Sequence, residues 1–365
     1  MTKILFLTQT LGGGGAERVL VNLVNNMNKT KYDVTVETMF SGGVNEKFLN
    51  KDVKYFCKKA PMFHGISQVM RFIPARLLYK YFVGKEKYDV VVAFMHGIPA
   101  KVISGCTLKN AKKISWLHCG DMNKTSMFTC FPTFKSAVKA YGTFDEVLGV
   151  AKSVSDAFSK KTGLYDNVSY CYNVNDTNKI FSLAAEEDVD IKYTPPLVCS
   201  VGRFTAEKGF SRLIKISNRL HKEGIDHTLM LIGGGALEEK IKAEAQELGE
   251  NVIFTGFQSN PYKYLNKADI FVCSSFFEGL STSTTEAVIL GLPTVSTNVS
   301  GAKEILGENN KYGMVVGIED EDLYKGLKEM LTSEELCNSY KEKAKKRGEF
   351  FNTENAVRET VKHFE

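Results

Sequence analysis

Residues 273–297 read CSSFFEGLSTSTTEAVILGLPTVST, and a strand, a turn, a helix and a second strand follow one another within them. The apolar run DIFVCSS (269–275) feeds the stretch from the left, and PTVST (293–297) closes it. A helix joining two buried strands is a crossover connection, which implies a parallel sheet with helices on its faces. Gly279, Leu280 and Ser281 lie between strand and helix, so their amides can face an anion with the helix dipole behind them. Glu278 and Glu286 stand eight apart, one at the strand end and one on the helix. A carboxylate on the first turns of such a helix can accept hydrogen bonds from two vicinal hydroxyls. Taken singly, the two glutamates fit equally well as solvated residues around a helix that Ser281 or Thr282 caps.

The same alternation extends in both directions. LVCSVGR, HTLMLIGG, NVIFTG and GMVV read as further strands of the second half, and ILFLTQ, DVTVETMF, DVVVAFM, KKISWLH and DEVLGV as strands of the first. AERVLVNLVNNM and VAKSVSDAFSKKTG carry helical periodicity between them. The segment from Ser182 to Pro196 holds the acidic run EEDVD and ends in Pro195-Pro196, the composition of a linker. Two successive βα series predict two doubly wound sheets, with ligands beyond the carboxyl ends of the strands. At those exits stand Arg203 and Lys208 in VGRFTAEKG, where a fork and a point charge suit a diphosphate. Gly202, Gly234, Phe257 and Asn260 occupy neighbouring exits with room for a nucleobase against backbone.

Near the start, Gly12–Gly15 join a strand to a helix. The run does not fit GxGxxG, because Glu17 falls three after Gly14, and it does not fit GxxxxGK[ST]. Glu37 lies inside the second strand, where a dinucleotide fold would want its acid at the end. Two readings stay open: a tight strand-to-helix turn, or a turn that brings backbone amides close to a ligand.

The 365 residues are 43% hydrophobic and 24% charged, as in soluble globular proteins, with no apolar run of the roughly 20 residues that cross a bilayer. The first apolar run is a strand and not a signal peptide. Eight cysteines without a CxxC spacing argue against a disulfide or zinc framework and for a reduced cytoplasmic setting. The net charge of +5 is uneven: residues 1–175 hold 24 Lys+Arg against 12 Asp+Glu, and residues 176–365 hold 23 against 30. A basic first half prefers an anionic surface. MRFIPARLLYKYFVGKEKY, from Met70, interleaves Arg71, Arg76 and Lys80 with Phe72, Leu77 and Phe82, as a helix lying in an anionic bilayer surface does. A helix that packs its apolar side on the sheet has the same pattern. No nucleic-acid motif accompanies the charge.

Taken together, GGGGAER, YNVND, GRFTAEKG, GFQSNPY and EGLSTSTTEA followed by GLPTVST resemble the retaining glycosyltransferases of family 4, over nearly the whole chain. The resemblance implies the GT-B fold: an α/β protein of two Rossmann-like doubly wound parallel sheets facing across a cleft. Residues 1–182 would bind acceptor, 183–349 would bind the nucleotide sugar, and a C-terminal helix, 350–365, would return to the first domain. By resemblance, Arg203 and Lys208 hold the donor pyrophosphate, Glu286 the ribose, and Glu278 the donor sugar. Gly279, Leu280 and Ser281 lie against sugar and phosphate, Phe257 against the base, and Gly13, Gly14 and Gly15 close over the diphosphate. His118, in SWLHCGD, would lie near the donor sugar, with Asp121 and His96 as lesser acceptor candidates.

The family's front-face transfer needs no cofactor and no metal. Asp188-Val189-Asp190 has DxD spacing but lies in the acidic linker, away from any strand exit. The expected activity is transfer of a hexose or N-acetylhexosamine from a UDP-sugar to a lipid-linked or glycan acceptor in cell-surface polysaccharide assembly, on the inner face of the membrane. Two alternatives stand beside it: a GT-B epimerase, and a catalytically silent sugar-nucleotide-binding subunit of a pair. A phosphorylase of this fold would carry a pyridoxal-phosphate lysine and a longer chain.

Overall fold

The apolar runs of the first half become β1 (Thr2–Thr8), β2 (Tyr32–Phe40), β4 (Val90–Ala93), β5 (Lys112–Leu117) and β6 (Glu146–Gly149) in the computed structural model, which describes residues 1–365 except 64, 123–125, 187 and 188. Two strands join them that the sequence pattern did not announce, β3 (Lys54–Ala60) and β7 (Val168–Tyr170). The sheet is wholly parallel, in the order β3-β2-β1-β4-β5-β6-β7. β1 lies inside it, and Ile4, Leu5, Phe6 and Leu7 are fully buried between helices on both faces. β3 escapes an apolar reading because it is an edge strand whose Lys54, Lys58 and Lys59 face solvent, a usual guard against edge pairing.

The second half builds β8 (Leu197–Val201), β9 (Thr228–Ile232), β10 (Val252–Phe254), β11 (Ile270–Cys273), β12 (Thr294–Thr297) and β13 (Met314–Val316). Its parallel sheet runs β10-β9-β8-β11-β12-β13. Phe204, Phe210, Leu213, Leu231, Val272 and Val295 are among the buried residues of one continuous core there. Each such side chain contributes about 1.5–3 kcal/mol by leaving water. In both sheets the first strand is followed outward on one side by the next two and on the other by the rest. The order therefore reverses between β1 and β4 and again between β8 and β11, the places where open α/β sheets leave a crevice.

One compact unit comprises Met1–Asn175 with Glu354–Glu365, and the other Asp176–Thr353. The expected division at 182/183 falls inside the helix Thr177–Ala184, whose Asp176 cap accepts from the Lys179 amide at 3.1 Å. Nor is 182–196 a free linker. Ser182–Ala184 are helical, Val189 is buried, and the Thr194 amide donates to Thr228 Oγ1 at 2.9 Å. Several contacts fasten the returning segment to the first unit. Phe364 packs edge-on against Phe6 at 5.6 Å, Lys112 Nζ donates to the Glu365 carbonyl at 2.9 Å, and His363 Nδ1 meets Glu146 Oε1 at 2.8 Å.

Candidate active site

Four strand exits of the second sheet are stitched to one another through backbone. The Gly202 amide bonds the Ile232 carbonyl, Phe204 bonds Gly234, Gly233 bonds Gly256, and Phe276 bonds Glu207, each at 2.8–3.0 Å. Glycine is required where the β8 loop turns into the helix Phe210–Lys222. Gly209 sits at φ +65°, and a Cβ there would overlap the Ser274 carbonyl oxygen. This close approach brings the loop after β8 against the loop after β11, on either side of the sheet's point of reversal.

Lys208 and Glu278 meet at that junction. Lys208 Nζ lies 2.7 Å from Glu278 Oε1, and the Ser275 hydroxyl donates to the same oxygen at 2.6 Å. Both charged side chains are largely withdrawn from solvent, at 18% and 12% exposure. Burial works against the Lys208 ammonium, but the Glu278 charge and hydrogen bond overcome it, and the lysine pKa is raised. Lys208 is therefore a firm cation at neutral pH.

Sequence reasoning missed the group that holds this arrangement. Arg212, four residues after Lys208 and in the first turn of the helix Phe210–Lys222, is 5% exposed. Its Nε and Nη2 donate to the Ser274 carbonyl, Nη2 to Ser275 O at 2.9 Å and Nη1 to Ile318 O at 2.7 Å, and its guanidinium stacks 3.9 Å from the Phe276 ring centroid. Thr297 Oγ1 donates to Ser275 O at 2.6 Å from the other side. The only trace in the sequence is an arginine four residues after the lysine, which reads like any surface helix position.

The other expected donor-side residues separate. Ser281 caps the helix Thr282–Ile289 by accepting from the Thr284 amide at 3.3 Å; it and Leu280 are buried beside Gly279. Glu286 Oε1 accepts from the Tyr262 hydroxyl at 2.9 Å, a partner the sequence did not suggest. Arg203 is 67% exposed, with Nη2 4.0 Å from Glu207, and is not part of the Lys208–Glu278 pair. Phe257 is 64% exposed beside the left-handed Gly256, and Gly234 lies at the neighbouring exit. Asn260 is committed elsewhere: its amide donates to Leu183 O and Glu186 Oε2, and its oxygen accepts from the Tyr262 amide. These bonds brace the loop after β10 against the helix Thr177–Ala184 and its end.

In the first unit, Gly12–Gly15 follow β1, and none of them has positive φ. Their service is closeness, since Gly14 lies under the Glu17 carboxylate and Gly12 O accepts from Asn45. His96 follows β4 and His118 follows β5, with Phe94 and Trp116 rings 4.9 and 6.5 Å from the His118 ring. His96 Nδ1 and His118 Nε2 are out of solvent without a hydrogen-bond partner. Burial lowers the two pKa values, to about 4 and about 3, the neighbouring His96 adding to the effect at His118. Both imidazoles are neutral at physiological pH. Asp121 is half-buried four residues beyond β5.

The basic stretch forms the helices Ile66–Met70 and Ala75–Phe82. Arg76, Leu77, Lys80 and Tyr81 face solvent with Phe72, which is 79% exposed. Phe82 does not belong to that face: it is 1% exposed, in the buried row with Leu78 and Tyr79 that packs the helix on its unit. Arg71 is also partly engaged, donating to Pro132 O. Among the described residues no helix is long and apolar enough to cross a membrane. Of Asp188-Val189-Asp190, Asp188 lies outside the described residues.

Residues 183–347 match the family model of glycosyl transferases group 1. The whole chain is 27% identical to the N-acetylgalactosamine-N,N'-diacetylbacillosaminyl-diphospho-undecaprenol 4-alpha-N-acetylgalactosaminyltransferase of Campylobacter jejuni, covering 100% of this chain and 99% of that one. It is 28% identical to the lipopolysaccharide core biosynthesis glycosyltransferase LpsE of Rhizobium meliloti, over 92% of this chain and 89% of that one. In fold it is similar to HepE of Anabaena, solved with UDP and glucose, at a TM-score of 0.75 and 19% identity over 99% of both chains. It is similar also to sucrose-phosphate synthase of Thermosynechococcus elongatus, at 0.81 and 16% over 99% and 98%.

Proposed function

We propose that this chain, a glycosyltransferase of the GT-B fold whose residues 183–347 belong to glycosyl transferases group 1, moves a hexose or N-acetylhexosamine from a UDP-sugar to a lipid-linked glycan with retention of configuration. The observation that carries the reading is the Lys208–Glu278 pair, held 2.7 Å apart at the reversal point of the second sheet. Breaking the glycosidic bond leaves negative charge on the diphosphate and positive charge on the sugar. Lys208 supplies a fixed cation to the leaving phosphate, Arg203 a second from an exposed side chain, and the amides of Gly279–Ser281 the dipole of the Thr282–Ile289 helix. Glu278, released by the phosphate, binds a sugar hydroxyl, and Glu286 the ribose, with Tyr262 fixing its rotamer. With these charges in place the transfer runs without a metal ion, and the diphosphate oxygen takes the acceptor proton on the face the leaving group vacates.

His118 and His96, neutral and lacking partners at one nitrogen each, serve as hydrogen-bond groups for acceptor or donor sugar, with Asp121 beyond them. The undecaprenol-linked substrate in the name of the Campylobacter relative supports a lipid-linked acceptor. The exposed face of Arg76, Lys80, Phe72 and Leu77 supports docking on the anionic cytoplasmic leaflet where such an acceptor sits.

The deciding experiment is release of nucleoside diphosphate from UDP-, GDP- and ADP-sugars in the presence of lipid-linked acceptors, with chelator present. The anomeric configuration of the product is read by NMR. Release from a UDP-sugar with a retained anomer is expected. Tight UDP binding with no release from any donor would replace this reading with the silent binding subunit.

A further inference from the structure

The end of the second sheet opposite the strand exits holds a second cluster of chemistry-bearing side chains. His221 lies in the last turn of the helix Phe210–Lys222, His227 immediately precedes β9, and Glu250 stands two residues before β10. His227 and Glu250 are buried, and the His221 side chain is 28% exposed. One ligand atom from each of the three lies within 4.8 Å of the others.

We propose that His221, His227 and Glu250 form a site for one divalent cation of the zinc class. The grounds are a count of protons. His221 Nε2 lies 2.8 Å from the His227 carbonyl oxygen, and His227 Nδ1 lies 3.0 Å from the Ile225 carbonyl oxygen. Carbonyls only accept, so each neutral imidazole donates its single proton there. The remaining nitrogens, His221 Nδ1 and His227 Nε2, are then bare lone pairs, and both turn inward. His221 Nδ1 is 2.8 Å from Glu250 Oε1, and His227 Nε2 is 2.8 Å from Ser217 Oγ, which donates to that same Oε1 at 2.6 Å.

Three close polar contacts thus share the one proton of Ser217, and two of them are left without one. Two added protons would make two imidazoliums whose rings stack 4.1 Å apart beside a single carboxylate. A divalent cation delivers the same two charges at one point, bound to both lone pairs and the carboxylate.

The surroundings are those of metal ligands. A metal-bound histidine characteristically donates its outer N–H to a backbone carbonyl, and both rings do so here. Asn218 Nδ2 reaches Glu250 Oε2 at 3.3 Å and orients the carboxylate. Two imidazoles and a carboxylate suit zinc, with water at the fourth position. Zn–ligand bonds of about 2.1 Å set tetrahedral ligand atoms roughly 3.4 Å apart. The 2.8 Å contact therefore opens by only about half an ångström on binding. Such a cation would pin together the helix end, the turn into β9 and the turn into β10. It lies at the amino ends of the strands, apart from the transfer chemistry.

The test uses the full chain, stripped with chelator and dialysed. Zinc is titrated by calorimetry, and cobalt is followed by its visible d–d absorption. One equivalent of zinc should bind, with a cobalt band free of thiolate charge transfer. The melting midpoint should rise by about 5 °C or more at zinc 100-fold above Kd. His221→Gln with His227→Gln should weaken binding by more than about 100-fold, beyond the range of lost outer-sphere support. Should that pair melt without metal, His221→Gln alone, at the exposed ring, carries the comparison, with circular dichroism to check the fold. No saturable equivalent, a thiolate band, or undiminished binding in the histidine variants would overturn the site, as would pH-dependent stability with no response to zinc or cobalt.

Discussion

Replacing Arg212 with methionine keeps the side-chain stem and removes the fork that supports the Lys208–Glu278 junction. Its consequence can be worked group by group. Ser275 O keeps its bond from Thr297 Oγ1, and Ile318, 37% exposed, regains a donor from water. Ser274 O does not, because Ser274 is 1% exposed and the guanidinium is the donor that reaches it. One orphaned buried carbonyl costs about 1–3 kcal/mol. The lost stacking on the half-exposed Phe276 adds about 0.5–1 kcal/mol. Against this, a charge that burial disfavours is no longer buried: desolvation lowers the Arg212 pKa despite the partly offsetting Asp320. The net loss is about 2 kcal/mol, or a fall of about 4–8 °C in the midpoint of the second unit.

The functional loss follows from connectivity. Ser274 Oγ bonds the Lys208 carbonyl at 2.8 Å and Ser275 Oγ bonds Glu278, so a slackened Ser274–Phe276 segment loosens both charged groups. UDP affinity should fall about tenfold by calorimetry. Arg212→Lys should restore little of it, since an ammonium cannot bridge two carbonyls as a planar fork does. A variant within about 0.5 kcal/mol of the parent in urea titration, or one with full UDP affinity, would refute the assignment of Arg212 as the brace.

Lys208→Ala should cut turnover by about 100–1,000-fold with an unchanged circular dichroism spectrum, because a leaving-group contact is lost; an undiminished rate would remove Lys208 from the chemistry. Flotation with anionic vesicles should fail for Arg76→Glu with Lys80→Glu and weaken for Phe72→Ser, whereas Arg71→Glu should also destabilise the fold through its bond to Pro132; persistent flotation would leave the helix a packing element only. In the first unit, His96 and His118 refuse protons that the unfolded chain takes up near pH 6.5, so stability should fall as pH drops from about 6.5 towards about 4. His363 has the opposite sign: its hydrogen bonds with Cys171 and Glu146 raise it to about 9, so its contribution is whole below about pH 6.5 and is lost as pH rises towards 9. Urea midpoints across pH, with His118→Gln flattening the acid limb and His363→Gln the alkaline one, check both signs.

Strands buried on both faces were legible because parallel sheets demand continuous apolar runs, and eleven such runs are strands in the structure. β3 was hidden by its edge lysines and β7 by its three-residue length. Lys208 and Glu278 could be placed at strand exits from spacing alone, but not joined. Their contact depends on Gly209 adopting a left-handed turn against Ser274. Phe82 and Asn260 show the converse limit. One apolar residue in an amphipathic helix, or one amide in a loop, reads the same whether it faces a ligand or its own fold, and only packing decides.

The two sheets share a winding order yet arm their exits differently. At the second sheet's reversal stand a lysine whose charge Glu278 reinforces and an exposed arginine, groups whose chemistry suits a phosphate that gains negative charge. The exits of the first sheet present imidazoles that burial keeps neutral. A protonated histidine beside a sugar that is gaining positive charge would oppose bond breaking, and at an effective dielectric of about 20 and 4 Å that opposition is about 4 kcal/mol. On the proposed function, desolvation of His96 and His118 keeps both rings neutral and avoids that opposition. This predicts a test of the division itself. Placing a permanent cation at the first sheet, as His118→Lys, should depress turnover more than His118→Ala does while leaving UDP affinity unaltered. Equal rates for the two variants would mean that the neutrality of His118 has no part in the transfer.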